Sequence, residues 1–139
     1  MSAGQGDVRF AGYAAIFDRV DRGGDVVRAG AFGTADARAV PLLWQHGPGS
    51  VIGTVERLAE DGRGLRVIGR VSRRTAAGRQ AAEALVAGAV DGLSFGYRVR
   101  AARGARPREL LALDLVEVSL VTHPMQPGAR VVAMEPVTG

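Results

Sequence analysis

At 139 residues the chain has the length to bury one core and no room for a second, so 1–139 is read as a single domain. Its 18 basic residues are all arginine against 14 acids, a net charge of +4; arginine without lysine, beside abundant Ala, Gly and Val, reads as the codon habit of a GC-rich genome and not by itself as a nucleic-acid footprint. The absence of cysteine and the presence of only two histidines argue against a disulfide framework, thiolate chemistry or a closed zinc site, and no cofactor or metal is expected. No apolar run approaches the roughly 18 residues of a membrane span, and MSAGQGDVRF lacks the layout of a secretory signal, so a soluble intracellular protein is expected.

Hydrophobic alternation dominates the chain, punctuated by glycine. VRFAGYAAIF (8–17) reads as an opening strand, followed by a loop rich in Asp, Arg and Gly at 18–25. VVRAGAF (26–32) reads as a second extended piece, and the polar stretch after it as a short helical turn. VPLLWQH (40–46) is an apolar strand ending in a histidine. VIGTVERL (51–58) and GLRVIGRV (64–71) flank AEDGR, a hairpin signal because Asp-Gly accommodates the positive φ of tight turns.

One stretch reads as a good helix. AAGRQAAEALVA (76–87) is rich in helix formers, places Ala82, Leu85 and Val86 on one face, and stops at Gly88 in the manner of a glycine cap. GLSFGYRV follows as a strand, then RVRAARGARPR (98–108), where five arginines beside Gly and Pro predict a solvated, mobile hairpin loop; an electrostatic contact with an acidic partner is the sharper alternative. The long run LLALDLVEVSLVTHP (110–124) has two largely apolar faces, which predicts a central strand, and ARVVAM (129–134) closes the chain. The sum is a mainly β, α+β domain: a closed or strongly curved barrel with one main helix and few short ones.

GLSFG (92–96) matches G-x-S-x-G, the pattern of the strained nucleophile turn in one class of hydrolases. That turn requires a strand before the serine and a helix after it, whereas here a helix precedes and alternation continues beyond. Ser94 is therefore placed within a strand, on one face with Gly92 and Gly96, whose missing side chains are expected to leave the hydroxyl open. A serine needs a base, and only His46 and His123 are available, each at the end of an apolar strand. Glu117, on a core-like face with Leu115 and Ser119, needs a hydrogen-bonding partner. Orienting a histidine and pairing with an arginine serve equally well, and Asp114 is the competing carboxylate.

In order along the chain, FAGYAAIFD, GDVVRAGAF, LLWQHGPGSVIGTV, DGRGLRVIGRV, VDGLSFGYRV and LDLVEVSLVTHPMQPGARV resemble the prohead maturation proteases of tailed bacteriophages and prophage-like particles, which are related in fold to the herpesvirus assembly proteases. The resemblance implies a serine endopeptidase, inside the immature capsid in the bacterial cytoplasm, that trims the scaffold segment of the major capsid protein and often itself. The portal is a further partner, and a homodimer or an assembly-dependent oligomer is implied. Carried over, Ser94 is the nucleophile, His46 the general base and Glu117 the orienting acid. The herpesvirus relatives place a second histidine in the third role, which keeps His123 as a minority alternative.

The turn at 123–128 is where the relatives' architecture places the oxyanion donors, and MQP (125–127) departs from the small-residue turn expected there. The chain closes soon after its last strand, so a tail that targets the enzyme to the capsid interior is expected to be lost or supplied by another chain. Two other readings stand beside this one. A non-catalytic capsid assembly module of the same fold gains if Ser94 Oγ and the His46 imidazole lie far beyond hydrogen-bond reach with no loop closure to join them, and a nucleic-acid binder through 98–108, the least favoured, predicts steeply salt-dependent affinity.

Overall fold

The structure, a computed structural model, describes residues 6–137. Among the described residues there are eight strands: β1 (Val8–Ile16), β2 (Asp25–Val27), β3 (Pro41–Trp44), β4 (Val51–Glu60), β5 (Gly64–Val71), β6 (Gly92–Arg103), β7 (Arg108–Val121) and β8 (Val131–Pro136). An α-helix, α1 (Ala76–Val86), joins β5 to β6, and a turn of 3-10 helix covers Ala37–Ala39.

The strands form one sheet in the order β2-β7-β3-β4-β5-β1-β8, with β6 paired to β7. β7 is central as predicted. β2 runs parallel to its first residues and β3 parallel to Val118–Leu120, while β6 pairs antiparallel along almost its whole length. The sheet curls until its far ends meet: Leu93 N–H donates to Ala129 O (2.8 Å) and Val131 N–H to Asp91 O (2.8 Å), bringing the start of β6 beside the approach to β8. The result is a curled half-barrel around Phe10, Leu42, Ile52, Leu65, Leu85, Leu93, Leu110 and Leu120, each under 2% exposed. Burying each such side chain stabilises by about 1.5–3 kcal/mol before chain entropy is charged against it.

Helix α1 starts where Thr75 Oγ1 accepts from Gly78 N–H (3.0 Å). It ends in a Schellman arrangement: Gly88, at φ 75°, donates to Leu85 O and Ala89 to Ala84 O. The buried face is Gly78, Ala81, Ala82 and Leu85, and Val86 is 53% exposed, which corrects the predicted stripe. An alanine-rich helix packs through whichever face lets its backbone approach closest, so its largest side chains are a poor guide.

Three further expectations change. The β4–β5 hairpin forms, but Gly62 is not among the positive-φ residues; the Asp61 carboxylate shapes the turn by accepting from Arg63 N–H (2.8 Å) and Gly64 N–H (3.1 Å). β2 stops at Val27, where Ala31 N–H turns back to Arg28 O and Gly30 takes φ 89°. The arginine-rich stretch is mostly strand: β6 runs to Arg103 and β7 begins at Arg108, leaving a connection of four residues. Three of its arginines are paired with acids, Arg100 with Asp114 (3.5 Å), Arg103 with Glu109 (2.9 Å) and Arg108 with Asp25 (2.8 Å).

Candidate active site

Strand β3 carries the chain alongside β7 through Leu42–Val118, Leu43–Ser119 and Trp44–Leu120, and Gln45 N–H adds one more rung to Leu120 O (2.9 Å). The backbone then reverses sharply. Gln45 and His46 take φ 51° and 60°, a left-handed conformation that costs a non-glycine residue roughly 1–2 kcal/mol. The surroundings hold it there. The Gln45 amide clamps residue 122 from both ends, accepting from Thr122 N–H (3.0 Å) and donating to Thr122 Oγ1 (2.6 Å), while His46 N–H donates to Ser119 Oγ (3.2 Å). The reversal places His46 beside the buried end of β7.

Glu117 is only 7% exposed, and it is anchored at both oxygens. Oε1 meets His46 Nδ1 at 2.5 Å, and Oε2 accepts from Ser119 Oγ at 2.5 Å. Of the two partners the sequence allows, histidine is the one found. The Glu117 hydrogen bond is the main cause that holds the His46 imidazole above its ordinary pKa of 6.5, against partial burial that pulls it down. The imidazole keeps 44% of its side-chain surface exposed, so Nε2 remains available for a proton while Nδ1 is engaged.

Ser94 pairs with Ser119 and Gly96 with Glu117 across the β6–β7 ladder, which puts the candidate nucleophile one pleat from the acid. Ser94 is 6% exposed, and its hydroxyl makes no hydrogen bond among the described residues. It lines a cavity of about 130 Å³ whose walls include His46, Tyr97, Gln126, Asp21 and Asp25. No hydrogen bond joins Ser94 to the imidazole in this conformation. Clefts of about 410 and 610 Å³ elsewhere contain neither residue, so size does not mark the site here.

The two glycines beside Ser94 act differently from the expectation. The space beside Gly96 is filled by the Glu117 carboxylate, and that beside Gly92 by Val121 O and Pro124, so they admit neighbours and do not clear a path to the hydroxyl. His123 is exposed just past the end of β7 and does not line the cavity, while Asp114 is exposed and paired with Arg100. Glu117 is thus the carboxyl group that the fold brings to His46. Among the described residues no cluster of three or more His, Cys, Asp or Glu could hold a metal, and no helix is long and apolar enough to cross a membrane.

Three contributors were not singled out from sequence. Ser119 and the Gln45–Thr122 clamp are described above. Gln126, 5% exposed, bonds the backbone of β1 through both ends of its amide, to Ile16 N–H (2.8 Å) and Ile16 O (2.9 Å), and so pins the 123–128 turn against the cavity. The signal for Ser119 was present: Glu117 and Ser119 are polar residues two apart on one face of an apolar strand, where each needs a partner.

A curled half-barrel with one main helix, carrying a serine and a histidine on a shared cavity with Glu117 behind the histidine, defines a protein of the herpesvirus-protease fold. The structure is similar to varicella-zoster virus protease (TM-score 0.60, 17% identity, 93% of this chain and 64% of that one). It is also similar to KSHV protease in complex with a hexapeptide phosphonate inhibitor (TM-score 0.65, 11% identity, 94% and 66%). The chain belongs to the caudovirus prohead serine protease family, whose profile matches residues 1–137. It is 31% identical over 140 residues to the prohead protease of Enterobacteria phage HK97, covering 94% of this chain and 61% of that relative's length.

Proposed function

We propose that the chain is a serine endopeptidase that removes the scaffold segment of a major capsid protein, and cleaves itself, inside a phage or phage-like procapsid. The observation that carries the mechanism is the 2.5 Å contact of His46 Nδ1 with a buried Glu117, beside a cavity that Ser94 also lines. In this reading Glu117 fixes the imidazole with Nδ1 as donor and stabilises its cation. Nε2 of His46 takes the proton from Ser94 Oγ as the oxygen attacks the scissile carbonyl, and later returns it to the leaving amine. Water then releases the acyl group by the same route.

The oxyanion donors are assigned to backbone N–H groups of the 123–128 turn, since Met125 and Gln126 line the cavity with Ser94. The capsid substrate and the procapsid setting rest on family membership and on the named HK97 relative. The test is co-expression with the cognate major capsid protein, read on a gel. Ser94→Ala should abolish trimming while the protein stays folded, and unchanged trimming would refute the proposal. A non-catalytic assembly module is the competing reading: the lack of a Ser94–His46 hydrogen bond in this conformation favours it, and the cavity that the two residues share weighs against it.

A further inference from the structure

Ser119 has no exposed surface, stands directly opposite Ser94 in the β6–β7 ladder, and is bonded in two directions. Its oxygen accepts from the backbone N–H of His46 (3.2 Å), and its hydroxyl donates to Glu117 Oε2 (2.5 Å). The two partners fix the sense of both bonds. A backbone N–H can only donate and a carboxylate can only accept, so a lone pair of Oγ takes the N–H and the single hydroxyl proton goes to Oε2. With Nδ1–H on the other oxygen, the carboxylate is held at two points, which sets its plane and stops it rotating away from the ring. The same hydroxyl holds the backbone of His46 in its left-handed conformation, so one atom locates both the base and the acid.

Resting on the reading of Ser94, His46 and Glu117 as a catalytic set, we propose that Ser119 is a positioning residue of that set, acting through Glu117 and through the His46 backbone without touching the substrate. Removing its hydroxyl leaves Glu117 Oε2 buried without a donor and His46 N–H without its acceptor. The carboxylate then turns or recruits water, and the imidazole loses its fixed partner.

The experiment uses two readouts on the purified chain, so that failure here is separable from failure of the proposed activity. The first is the rate at which a fluorophosphonate probe labels Ser94; the second is the NMR titration of the His46 ring, which needs no activity at all. Wild-type labelling that vanishes in Ser94→Ala secures the underlying reading; its absence overturns that reading, and with it this proposal. Given that labelling, Ser119→Ala should slow it roughly 10- to 100-fold, by analogy with the loss of partners that orient metal-ligating side chains. The His46 midpoint should also move down toward its ordinary value.

Ser119→Thr, which keeps the hydroxyl, should recover most of both. If Ser119→Ala does not fold, Ser119→Cys, similar in shape with a weaker donor, is read in the same way. A merely structural serine would lower the melting temperature but leave the His46 midpoint and the labelling rate of folded protein unchanged, and that result would overturn the proposal. A double-mutant cycle gives an independent check. In a Glu117→Gln background, Ser119→Ala should cost only the smaller part that acts through the His46 backbone, whereas a full additive loss would contradict action through Glu117.

Discussion

Gly96 and Glu117 face each other across the β6–β7 ladder, and the Glu117 carboxylate occupies the space a side chain at residue 96 would need: a Cβ there would lie 2.7 Å from Oε1 and 3.0 Å from Cγ. The acid reaches His46 by lying across a glycine. Gly96→Ala should therefore push the carboxylate off the imidazole while leaving the strand pairing intact, because the obstructing atoms belong to a side chain. The expected result is a folded protein with ordinary circular dichroism, protease activity reduced at least about tenfold, and a His46 titration midpoint moved down toward its ordinary value.

Gly53 offers the opposite case. A Cβ there would collide with the backbone carbonyl of Arg70 on the neighbouring strand β5, which cannot swing aside. Gly53→Ala should cost about 1–3 kcal/mol in urea unfolding, on the scale of overpacking, with the His46 titration of the remaining folded protein unchanged. The pair separates damage to the site from damage to the fold.

The pH profile follows from the raised pKa of His46, whose main cause is the Glu117 hydrogen bond. With His46 as the proposed general base, which works when neutral, the cleavage rate should climb as pH rises through a midpoint above 6.5 and then level off. Glu117→Gln should lower that midpoint and drop the plateau by roughly 10³- to 10⁴-fold, because an amide can present the wrong partner to Nδ1. Stability runs the other way. A histidine whose folded pKa is raised contributes fully below its unfolded value and loses that contribution as pH climbs through the folded one. Unfolding of the wild type relative to Glu117→Gln, followed from pH 6 to 9, should show the difference shrinking with rising pH.

Much of the architecture was legible because its signals are local. The β4–β5 hairpin, the helix and its Gly88 cap, and the central position of β7 follow from alternation, helix formers and turn residues read in short windows. Where exposed strand looks like loop, that reading failed: Arg98–Arg103 extends β6 although its residues are exposed, and pairing with Glu109 and Asp114 makes the charge local. The hairpin turn at Asp61 formed by a side-chain mechanism where a positive-φ glycine was expected.

For the site, chemistry narrowed the choice of residue types, but their meeting depends on register. That His46 sits over Glu117, with Ser119 between its backbone and the acid, requires β3 to lie parallel to β7 at Val118–Leu120. No local window contains that information. The left-handed Gln45–His46 turn was equally hidden: histidine takes positive φ more often than most non-glycine residues, but such cases stay uncommon and glutamine gives no signal.

Gln126 holds the 123–128 turn to β1 with two buried hydrogen bonds. Gln126→Ala leaves the Ile16 N–H and C=O without those partners and should destabilise the protein by about 1–3 kcal/mol. It should also lower the catalytic rate more than Gly53→Ala does among molecules that remain folded, because this turn forms a wall of the cavity beside Ser94. Urea titration paired with active-site titration checks both parts.

The most direct test of the central claim is to treat the purified protein with a fluorophosphonate and map the adduct by tandem mass spectrometry. Attack by Ser94 Oγ on phosphorus, with fluoride leaving and the hydroxyl proton passing to His46, should yield one covalent phosphonyl group per chain, on Ser94, and His46→Ala should suppress it by several powers of ten in rate. An unlabelled wild-type protein, an adduct on another residue, or labelling of Ser94 that persists undiminished without His46 would contradict the assignment.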